Sequence, residues 1–280
     1  MIWLASYPKS GNTWLRIFLS HMTEKEWEPD DLNSLPIKNA ASRAIFDRET
    51  GIEASDLTDA QIELLRPRVY EQLAQERNKC RFLKTHDAWT VNAAGEPILS
   101  TAAAAVYLVR NPFDVAVSFA HHQGKDVESV IQAMEDPDCT LSGRTNVPRS
   151  TFPTKVLSWE GHVRSWLDGA SVPVHCVRYE DMKARPLETF TEIVRFSGLE
   201  YDRAEIDAAL AACAFGRLQE LERKTGFREK LPEAVSFFRK GAVGSWREAL
   251  TQSQVDRVIS VHGAVMRRLG YLDASDNPLY

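Results

Sequence analysis

Residues 1–19 read MIWLASYPKSGNTWLRIFL, and this stretch decides the fold class. Residues 1–6 form a short apolar run that stops at a Tyr-Pro pair, which is typical of a buried strand. After Gly11 the apolar residues change to helical spacing. Those that can share one helix face are Trp14, Phe18, Leu19 and Met22. The order of strand, glycine-containing turn and helix places the amides of a helix N-terminus where they can bind an anion.

Further strand and helix patterns alternate along the chain. Apolar runs predict strands at residues 80–85, 104–109 and 172–179. Helical patterns follow at residues 112–122 and 186–197, and the second has Pro near its start and Gly just past its end. Strands separated by helices predict one α/β domain covering the whole chain, with a central, mostly parallel sheet flanked by helices on both faces.

Two segments do not follow this alternation. Residues 124–155 contain Pro, Gly and polar residues with weak periodicity, and residues 217–238 begin with a densely charged run. Both are expected to be irregular. They are either solvated surface loops or mobile cover over a binding site, and the sequence favours neither interpretation.

The composition argues against several classes of function. Over 280 residues the net charge is −5, so no basic footprint for nucleic acid is present. The four cysteines lie far apart and form no cluster with His at metal-ligand spacing, which indicates reduced thiols. No apolar stretch has the length of a membrane span and no signal-peptide pattern is present, so we expect a cytoplasmic protein without a membrane partner.

The turn in YPKSGNTW, residues 7–14, has the parts of a phosphate cradle. Gly11 allows a tight turn and Lys9 supplies a positive charge. Hydroxyl groups come from Ser10 and Thr13. The lysine precedes the glycine, so the pattern is not the G-x-x-x-x-G-K-[ST] of nucleotide triphosphatases. A helix start capped by Ser or Thr explains the same residues nearly as well.

VYLVRNPFDVAVSF, residues 106–119, places an arginine at the end of a buried strand. Arg110 then lies at the carboxyl edge of the sheet, where α/β folds bind ligands. Ser118 follows roughly two helical turns later, and the two side chains can hold a phosphate together. An arginine in a surface ion pair is the alternative. A triphosphatase usually ends such a strand in Asp, to hold magnesium.

RKGAVGSW, residues 239–246, is a third candidate anion site. Arg239 and Lys240 precede Gly241, and two cations beside a glycine that lets backbone amides approach make an anion nest. Surface loops often contain such a run, so this motif is weak evidence by itself.

Together the three motifs resemble the cytosolic sulfotransferase family, in the family's order. YPKSGNTW is similar to its loop for the 5′-phosphosulfate, and RNPFDVAVS and RKGAVGSW resemble its two 3′-phosphate elements. FLKTH, residues 82–86, resembles the strand end that carries the family's catalytic histidine. RYEDMKARP, residues 178–186, resembles the segment whose tyrosine approaches the adenine, and Ala214-Phe215 matches a second adenine contact more weakly. WEGHVRSW, residues 159–166, is more similar to small bacterial members that act on natural products.

The resemblance implies a nucleotide-kinase-like, P-loop-like core and a sulfotransferase activity. The donor is then 3′-phosphoadenosine 5′-phosphosulfate, the product is adenosine 3′,5′-bisphosphate, and no metal is required. The acceptor is the hydroxyl of a small molecule, a phenol or an alcohol. The family's dimerisation segment is matched only in part, by Arg247, Thr251-Gln252 and Asp256. This puts dimerisation through the segment in doubt, and a homodimer is left open. The residues assigned to the nucleotide are Lys9, Ser10, Gly11, Asn12, Thr13, Trp14, Arg110, Ser118, Tyr179, Phe215, Arg239, Lys240 and Gly241.

The resemblance gives two catalytic residues, His86 and Lys9. Sulfuryl transfer resembles phosphoryl transfer, so the protein must take the acceptor's proton and stabilise charge on the leaving phosphate. His86 suits the first task, because an imidazole with its ordinary pKa of about 6.5 is mostly neutral at pH 7. The other histidines are most simply surface or packing residues. Lys9 is expected to contact the bridging oxygen, whereas Lys84 either assists at the transferred group or is a solvated strand-edge lysine.

Two other functions stay open. A nucleotide-kinase-like phosphotransferase shares the strand, loop and helix, but it needs a magnesium carboxylate, for which Asp181 is the best candidate. A non-catalytic sensor of 3′-phosphoadenosine nucleotides needs no base, so His86 argues against it. A magnesium requirement would favour the first function, and tight nucleotide binding without turnover would favour the second.

Overall fold

The computed structural model describes residues 1–24, 27, 30–75, 82–99, 104–141 and 150–280. They form the predicted α/β fold, in which a central parallel sheet is flanked by helices. The strands are β1 (Ile2–Ser6), β2 (Phe82–Thr85), β3 (Ala104–Val109), β4 (Thr140–Leu141), β5 (Thr154–Lys155) and β6 (Val174–Arg178). The helices are α1 (Asn12–Thr23), α2 (Arg43–Thr50), α3 (Asp59–Gln75), α4 (Pro112–Gln123), α5 (Val127–Glu135), α6 (Trp159–Leu167), α7 (Tyr179–Ala184), α8 (Pro186–Phe196), α9 (Arg203–Ala212), α10 (Phe215–Thr225) and α11 (Gln252–Arg268).

The central sheet has the strand order β2-β1-β3-β6. β1 and β2 pair in parallel, with Ile2 opposite Phe82 and Ala5 opposite Thr85. Nearly every residue of β1, β2 and β3 is buried, and strands of a parallel sheet that are covered on both faces read as continuous apolar runs. The predictions of these strands are confirmed, although residues 80 and 81 lie outside the described residues. The fourth predicted strand is confirmed with shorter bounds, as β6.

The two predicted helices are confirmed as α4 and α8, and local chemistry explains their bounds. The Asn111 side chain accepts a hydrogen bond from the Phe113 amide at 3.1 Å, which caps the start of α4 beside its first proline. Gly124 then ends α4 with a left-handed backbone, φ +61°. Pro186 likewise begins α8.

One compact unit of the chain contains residues 1–7, 37–107 and 136–176. Its core includes the ring of Trp3 edge-on to that of Tyr70, with centroids 5.0 Å apart. Arg66 and Asp87 form an ion pair of 2.5 Å inside this unit, and both side chains are almost completely buried. A buried pair overcomes its desolvation cost only when its remaining polar atoms are hydrogen-bonded as well. Arg66 meets this condition through the Tyr70 hydroxyl at 2.9 Å.

The second compact unit contains residues 8–36, 108–135 and 177–280. Within it α1 packs against α8, where the rings of Phe18 and Phe190 have centroids 4.4 Å apart. Phe18, Leu19 and Met22 are buried as the helical spacing predicted, whereas Trp14 is half-buried. The amphipathic pattern of α1 therefore contributes to the core of this unit.

The prediction of irregular structure for residues 124–155 and 217–238 is wrong in part. Helix α5 lies in the first segment, and the short strands β4 and β5 pair there antiparallel. The apolar residues that α5 buries are Val130, Ile131 and Met134. Helix α10 covers the start of the second segment, where Lys224 and Glu220 form an i,i+4 ion pair of 2.7 Å. Residues 142–149 lie outside the described residues, and ordering of either segment by ligands stays a prediction.

Candidate active site

The turn between β1 and α1 contains two residues with left-handed backbone, and we call residues 8–11 the phosphate loop. Lys9 has φ +66° and Gly11 has φ +99°. Glycine adopts this conformation without strain, whereas for a residue such as Lys9 it costs about 1–3 kcal/mol and is found mostly at functional sites. Turns of this kind point successive backbone N–H groups towards one place, which binds anions. The loop therefore has the backbone that its sequence predicts.

Ser10 is fully buried in the phosphate loop, and its hydroxyl has no hydrogen-bond partner among the described residues. Buried hydroxyl groups are nearly always hydrogen-bonded, so the site fits a ligand oxygen here. Asn12 and Thr13 begin α1 directly after the loop and are also buried. The first turn of α1 has no acidic side chain, which suits an anion at the positive end of the helix dipole.

Arg110 joins two loops of the second unit. It directly follows β3 and is almost completely buried. Its Nη1 donates to the carbonyl of Lys9 at 3.1 Å, and its Nη2 donates to the carbonyl of Ala242 at 2.9 Å. Its Nε is buried and has no hydrogen-bond partner in the described part of the chain. The guanidinium therefore keeps one N–H group for a ligand. Because Arg110 is buried, the interpretation as a surface ion pair is wrong.

We call residues 239–244 the RKG loop, and it brings the third motif to Arg110. Gly241 has φ +57°, and a Cβ there would lie 2.4 Å from the ring of Phe215. Only glycine fits this position, because the backbone and the ring approach so closely. Arg239 contacts Nε2 of His121 on α4 at 2.9 Å. Lys240, which is exposed, pairs with Glu248 at 3.1 Å.

Aromatic side chains surround the approach to these loops. The hydroxyl of Tyr179 donates to the carbonyl of Gly241 at 3.2 Å, and its ring lies 4.4 Å from the guanidinium carbon of Arg110. Trp14 is edge-on to Tyr179, with ring centroids 6.2 Å apart. Rings in this arrangement can bind an aromatic base by stacking. The structure thus brings Trp14, Tyr179 and Phe215 to one region of the second unit.

Lys183 is a further cation at these rings, and the sequence analysis missed it. Its Nζ lies 5.5 Å from the ring centroid of Trp14 and 5.7 Å from that of Phe215. Burial and the nearby Arg110 lower the pKa of Lys183. Its signal in the sequence was only its place in RYEDMKARP, four residues after Tyr179 and on the same helix.

Asp114 is a second residue that the sequence analysis missed. It is buried on α4 and accepts hydrogen bonds from the amide of Gly244 at 2.8 Å and from the amide of Trp246 at 3.1 Å. It also lies 4.0 Å from Arg110, one helical turn earlier. The i,i+4 spacing in RNPFD was the available signal.

Asp114→Asn is expected to weaken binding of adenosine 3′,5′-bisphosphate and to lower thermal stability. The substitution removes a buried charge that accepts backbone hydrogen bonds, and such bonds contribute about 1.5–3 kcal/mol each. Calorimetry and thermal unfolding measure the two effects. Glu248→Gln is the matched control, because the exposed pair with Lys240 contributes at most about 1 kcal/mol. Equal affinity and stability in Asp114→Asn and wild type would show that Asp114 does not hold the RKG loop.

His86 lies in the first unit, directly after β2, and is half-buried. Its Nδ1 is 2.7 Å from the backbone carbonyl of Ser6 and 3.2 Å from the Ser6 hydroxyl. Because a carbonyl only accepts hydrogen bonds, we assign the proton of the neutral ring to Nδ1, which places the lone pair on Nε2. This is the tautomer that a base acting through Nε2 requires.

The structure also bears on the interpretations given to Lys84 and Asp181. Lys84 is buried in β2, so the interpretation as a solvated strand-edge lysine is wrong. Asp181, the magnesium candidate of the kinase interpretation, pairs with Arg178 at 2.7 Å and with Arg185 at 3.3 Å. The hydrogen bond from Arg178 is the main cause that lowers the pKa of Asp181. Its carboxylate is therefore engaged by two arginines.

Comparison with known proteins identifies the family. A sequence model described as the sulfotransferase domain matches residues 1–270. The chain belongs to the sulfotransferase domain family. This confirms the resemblance predicted from the three motifs, and it covers nearly the whole chain.

Curated relatives agree with this family. The chain is 26% identical over 285 residues to cytosolic sulfotransferase 1 of Arabidopsis thaliana, covering 91% of this chain and 76% of the relative. It is 27% identical over 259 residues to sulfotransferase 2A1 of Rattus norvegicus, covering 90% and 80%. These relatives match along most of their own length.

Solved structures of sulfotransferases share the fold. One is the crystal structure of the mouse sulfotransferase SULT7A1 complexed with PAP, which is adenosine 3′,5′-bisphosphate. It superposes with a TM-score of 0.61 at 22% identity, over 95% of this chain and 83% of that one. Retinol dehydratase in complex with androsterone and inactive cofactor PAP gives a TM-score of 0.62 at 19% identity, over 95% and 80%. At these identities the likeness supports the fold.

Metal-binding groups, membrane-spanning helices and the position of Ser118 were also compared with the predictions from the sequence. Among them, no group of three or more His, Cys, Asp or Glu side chains is arranged to hold a metal ion. Within the same residues no helix is both long and apolar enough to cross a bilayer. Ser118 is half-buried on α4, one turn before His121, and its phosphate contact stays a prediction.

Proposed function

We propose that the protein transfers a sulfuryl group from 3′-phosphoadenosine 5′-phosphosulfate to the hydroxyl group of a small-molecule acceptor. The observation that carries this proposal is the bridge made by Arg110 between the phosphate loop and the RKG loop. A buried arginine that joins two anion-binding loops fits a ligand with two phosphate groups. Membership of the sulfotransferase domain family supports the choice of a nucleotide donor.

The side chains of the second unit fit this donor. The phosphate loop and the first turn of α1 would hold the 5′-phosphosulfate, since Ser10 offers an unpaired buried hydroxyl. Arg110, Arg239, Lys240 and Ser118 would hold the 3′-phosphate, and the unpaired Nε of Arg110 supports this assignment. Trp14, Tyr179 and Phe215 would hold the adenine. The solved neighbours described as PAP complexes are consistent with the same ligand.

His86 is the general base of the proposed reaction. The donor supplies the electrophilic sulfur and a phosphate leaving group, so the acceptor hydroxyl must lose its proton during in-line displacement. With Nδ1 held by the Ser6 carbonyl, Nε2 of His86 takes that proton. The chain passes from Ser6 into the phosphate loop within two residues, which supports a role for His86 in the same reaction.

Lys9 stabilises charge on the leaving phosphate. Its backbone belongs to the phosphate loop, and its Nζ lies 4.1 Å from the ring centroid of Phe237. An exposed cation–π contact contributes about 0.5–1 kcal/mol, which is less than a charge-assisted hydrogen bond to a phosphate oxygen. Lys9 can therefore exchange this contact for the bridging oxygen of the donor as negative charge develops there.

The remaining proposals concern the acceptor, the location and the assembly of the protein. We propose a phenol or alcohol acceptor, one sulfotransferase domain over residues 1–280, a cytoplasmic location and no nucleic-acid or membrane partner. Retinol dehydratase, a fold neighbour, is described in complexes with androsterone and with retinol, two small alcohols. The segment near Thr251 leaves a homodimer as an alternative to a monomer.

A transfer assay with ³⁵S-labelled donor tests the proposed function. The purified protein is expected to label at least one member of a panel of phenols and alcohols without added magnesium, and adenosine 3′,5′-bisphosphate should inhibit the transfer. Phosphoryl transfer that requires magnesium would instead support a kinase. Tight binding of the bisphosphate without turnover on any acceptor would instead support a nucleotide sensor.

A further inference from the structure

Helix α6 contacts the backbone that follows β2 at three successive points. The imidazole of His162 donates from Nε2 to the carbonyl of His86 at 3.2 Å. The indole of Trp166 donates from Nε1 to the carbonyl of Asp87 at 3.0 Å. The hydroxyl of Ser165 accepts from the amide of Trp89 at 3.0 Å. All these residues belong to the first unit, and the three side chains come from WEGHVRSW, a motif that the proposed function does not use.

His162 is held as a neutral ring in one tautomer. It has no exposed surface, and burial lowers its pKa to about 3, so it carries no charge at neutral pH. The Tyr107 hydroxyl lies 2.8 Å from Nδ1 of His162. Burial raises the pKa of Tyr107 well above its ordinary value, so this hydroxyl keeps its proton and donates it. The hydrogen on His162 therefore lies on Nε2, facing the carbonyl of His86.

Packing fixes the ring of His162 as well. It stacks on the ring of Tyr107, with centroids 5.6 Å apart, and the ring of Tyr7 meets it edge-on at 5.5 Å. Asp87, the residue after His86, is also restrained, because its carboxylate pairs with Arg66. The segment around His86 thus has little freedom to rotate.

We propose that His162 is a positioning residue for His86, and that the motif in α6 aims the ring of the base. The inference builds on the proposed function, in which His86 takes the acceptor's proton. One hydrogen bond holds Nδ1 of His86 on Ser6, and the bond from His162 holds its carbonyl. With both ends of the residue fixed, Nε2 keeps one direction. A shift of about 1 Å in a catalytic group can cost roughly 10²-fold in rate.

The experiment compares His162→Leu with His162→Gln. Leucine removes the hydrogen-bond donor, and we expect turnover to fall roughly 10- to 100-fold with unchanged affinity for adenosine 3′,5′-bisphosphate. Glutamine keeps an N–H donor and is expected to recover part of the rate. Trp166→Phe, which loses only the indole donor, should have a smaller effect in the same direction. His262→Leu is the control, because His262 is equally buried but lies on α11 in the second unit.

A second readout does not depend on turnover. In ¹⁵N-histidine NMR spectra, the ring signals of His86 should show an Nδ1-protonated tautomer in the wild type. They should show a changed tautomer ratio and a shifted titration midpoint in His162→Leu. His262→Leu should leave the His86 signals unchanged. Wild-type signals and wild-type turnover in His162→Leu would overturn the proposal, as would an equal change in His262→Leu.

The outcomes also separate this inference from the proposed function. If His86→Ala keeps normal turnover, His86 is not the base, and the proposed function is wrong in that part. If His86→Ala is inactive while His162→Leu has normal turnover and normal His86 signals, the base is correct and the positioning role is wrong. If His162→Leu does not fold, His162→Phe takes its place, because it keeps a buried ring but has no donor. Unchanged His86 signals in a folded His162→Phe would overturn the inference.

Discussion

His86→Ala is expected to reduce sulfuryl transfer roughly 10²–10⁴-fold, because a positioned base contributes that much to the rate. Affinity for adenosine 3′,5′-bisphosphate should stay close to wild type. The residues proposed to bind this ligand lie in the second unit, whereas His86 lies in the first. Turnover, donor affinity and melting temperature must be measured on one preparation.

A structural role for His86 makes a different prediction. Loss of its hydrogen bond to the Ser6 carbonyl would then lower the melting temperature and reduce rate and donor affinity together. His175→Ala is a matched control, because His175 is a half-buried histidine on β6 of the same unit. A folded His86→Ala protein with near-normal turnover at neutral pH would refute the assignment of the base.

Arg110→Ala is expected to weaken binding of adenosine 3′,5′-bisphosphate by about 1.5–3 kcal/mol, which is roughly a 10- to 150-fold higher dissociation constant. The substitution removes the charge at the proposed 3′-phosphate position and also the bonds to the Lys9 and Ala242 carbonyls. Isothermal titration calorimetry measures the change. Arg110→Lys should have an intermediate effect, since a lysine keeps the charge but cannot reproduce two carbonyl contacts in a fork.

Arg203→Ala controls for the loss of one positive charge from the second unit. Arg203 is highly exposed and forms a surface pair with Asp207 at 3.6 Å. Its removal should leave the affinity unchanged at moderate ionic strength. If Arg110→Ala binds the bisphosphate as tightly as wild type, Arg110 is not part of the phosphate site.

The elements that bind phosphate could be predicted because their requirements are local. A buried strand, a glycine turn and an amphipathic helix each leave a pattern within a few residues, and residues 1–19 contain all three. The same holds for α4, whose capping asparagine and first proline are adjacent in sequence. These patterns, in the order of a known family, led to the α/β fold and to the family that the comparison confirms.

The features that were missed depend on contacts distant in sequence. Asp114 meets Gly244 and Trp246 across about 130 residues, and no local pattern specifies such a partner. The burial of Lys84 follows from its position in a covered strand, whereas a lone lysine near a strand end reads as solvated. Helix α5 is an exception, because Val127, Val130, Ile131 and Met134 follow helical spacing and gave a local signal. It was missed because the Pro, Gly and polar residues of the longer segment 124–155 were weighed together with it.

The bridge made by Arg110 determines whether two fragments of a ligand, each with one phosphate group, bind independently of each other. Because the guanidinium links the carbonyls of Lys9 and Ala242 directly, the contact that holds the two loops together includes no ligand atom. Little ordering free energy is then left for the ligand to supply. Fragments bearing either phosphate alone should therefore bind without help from each other, and their separate binding free energies should add without cooperativity. Without the arginine, the first fragment would have to order both loops, and the second would bind more tightly after it.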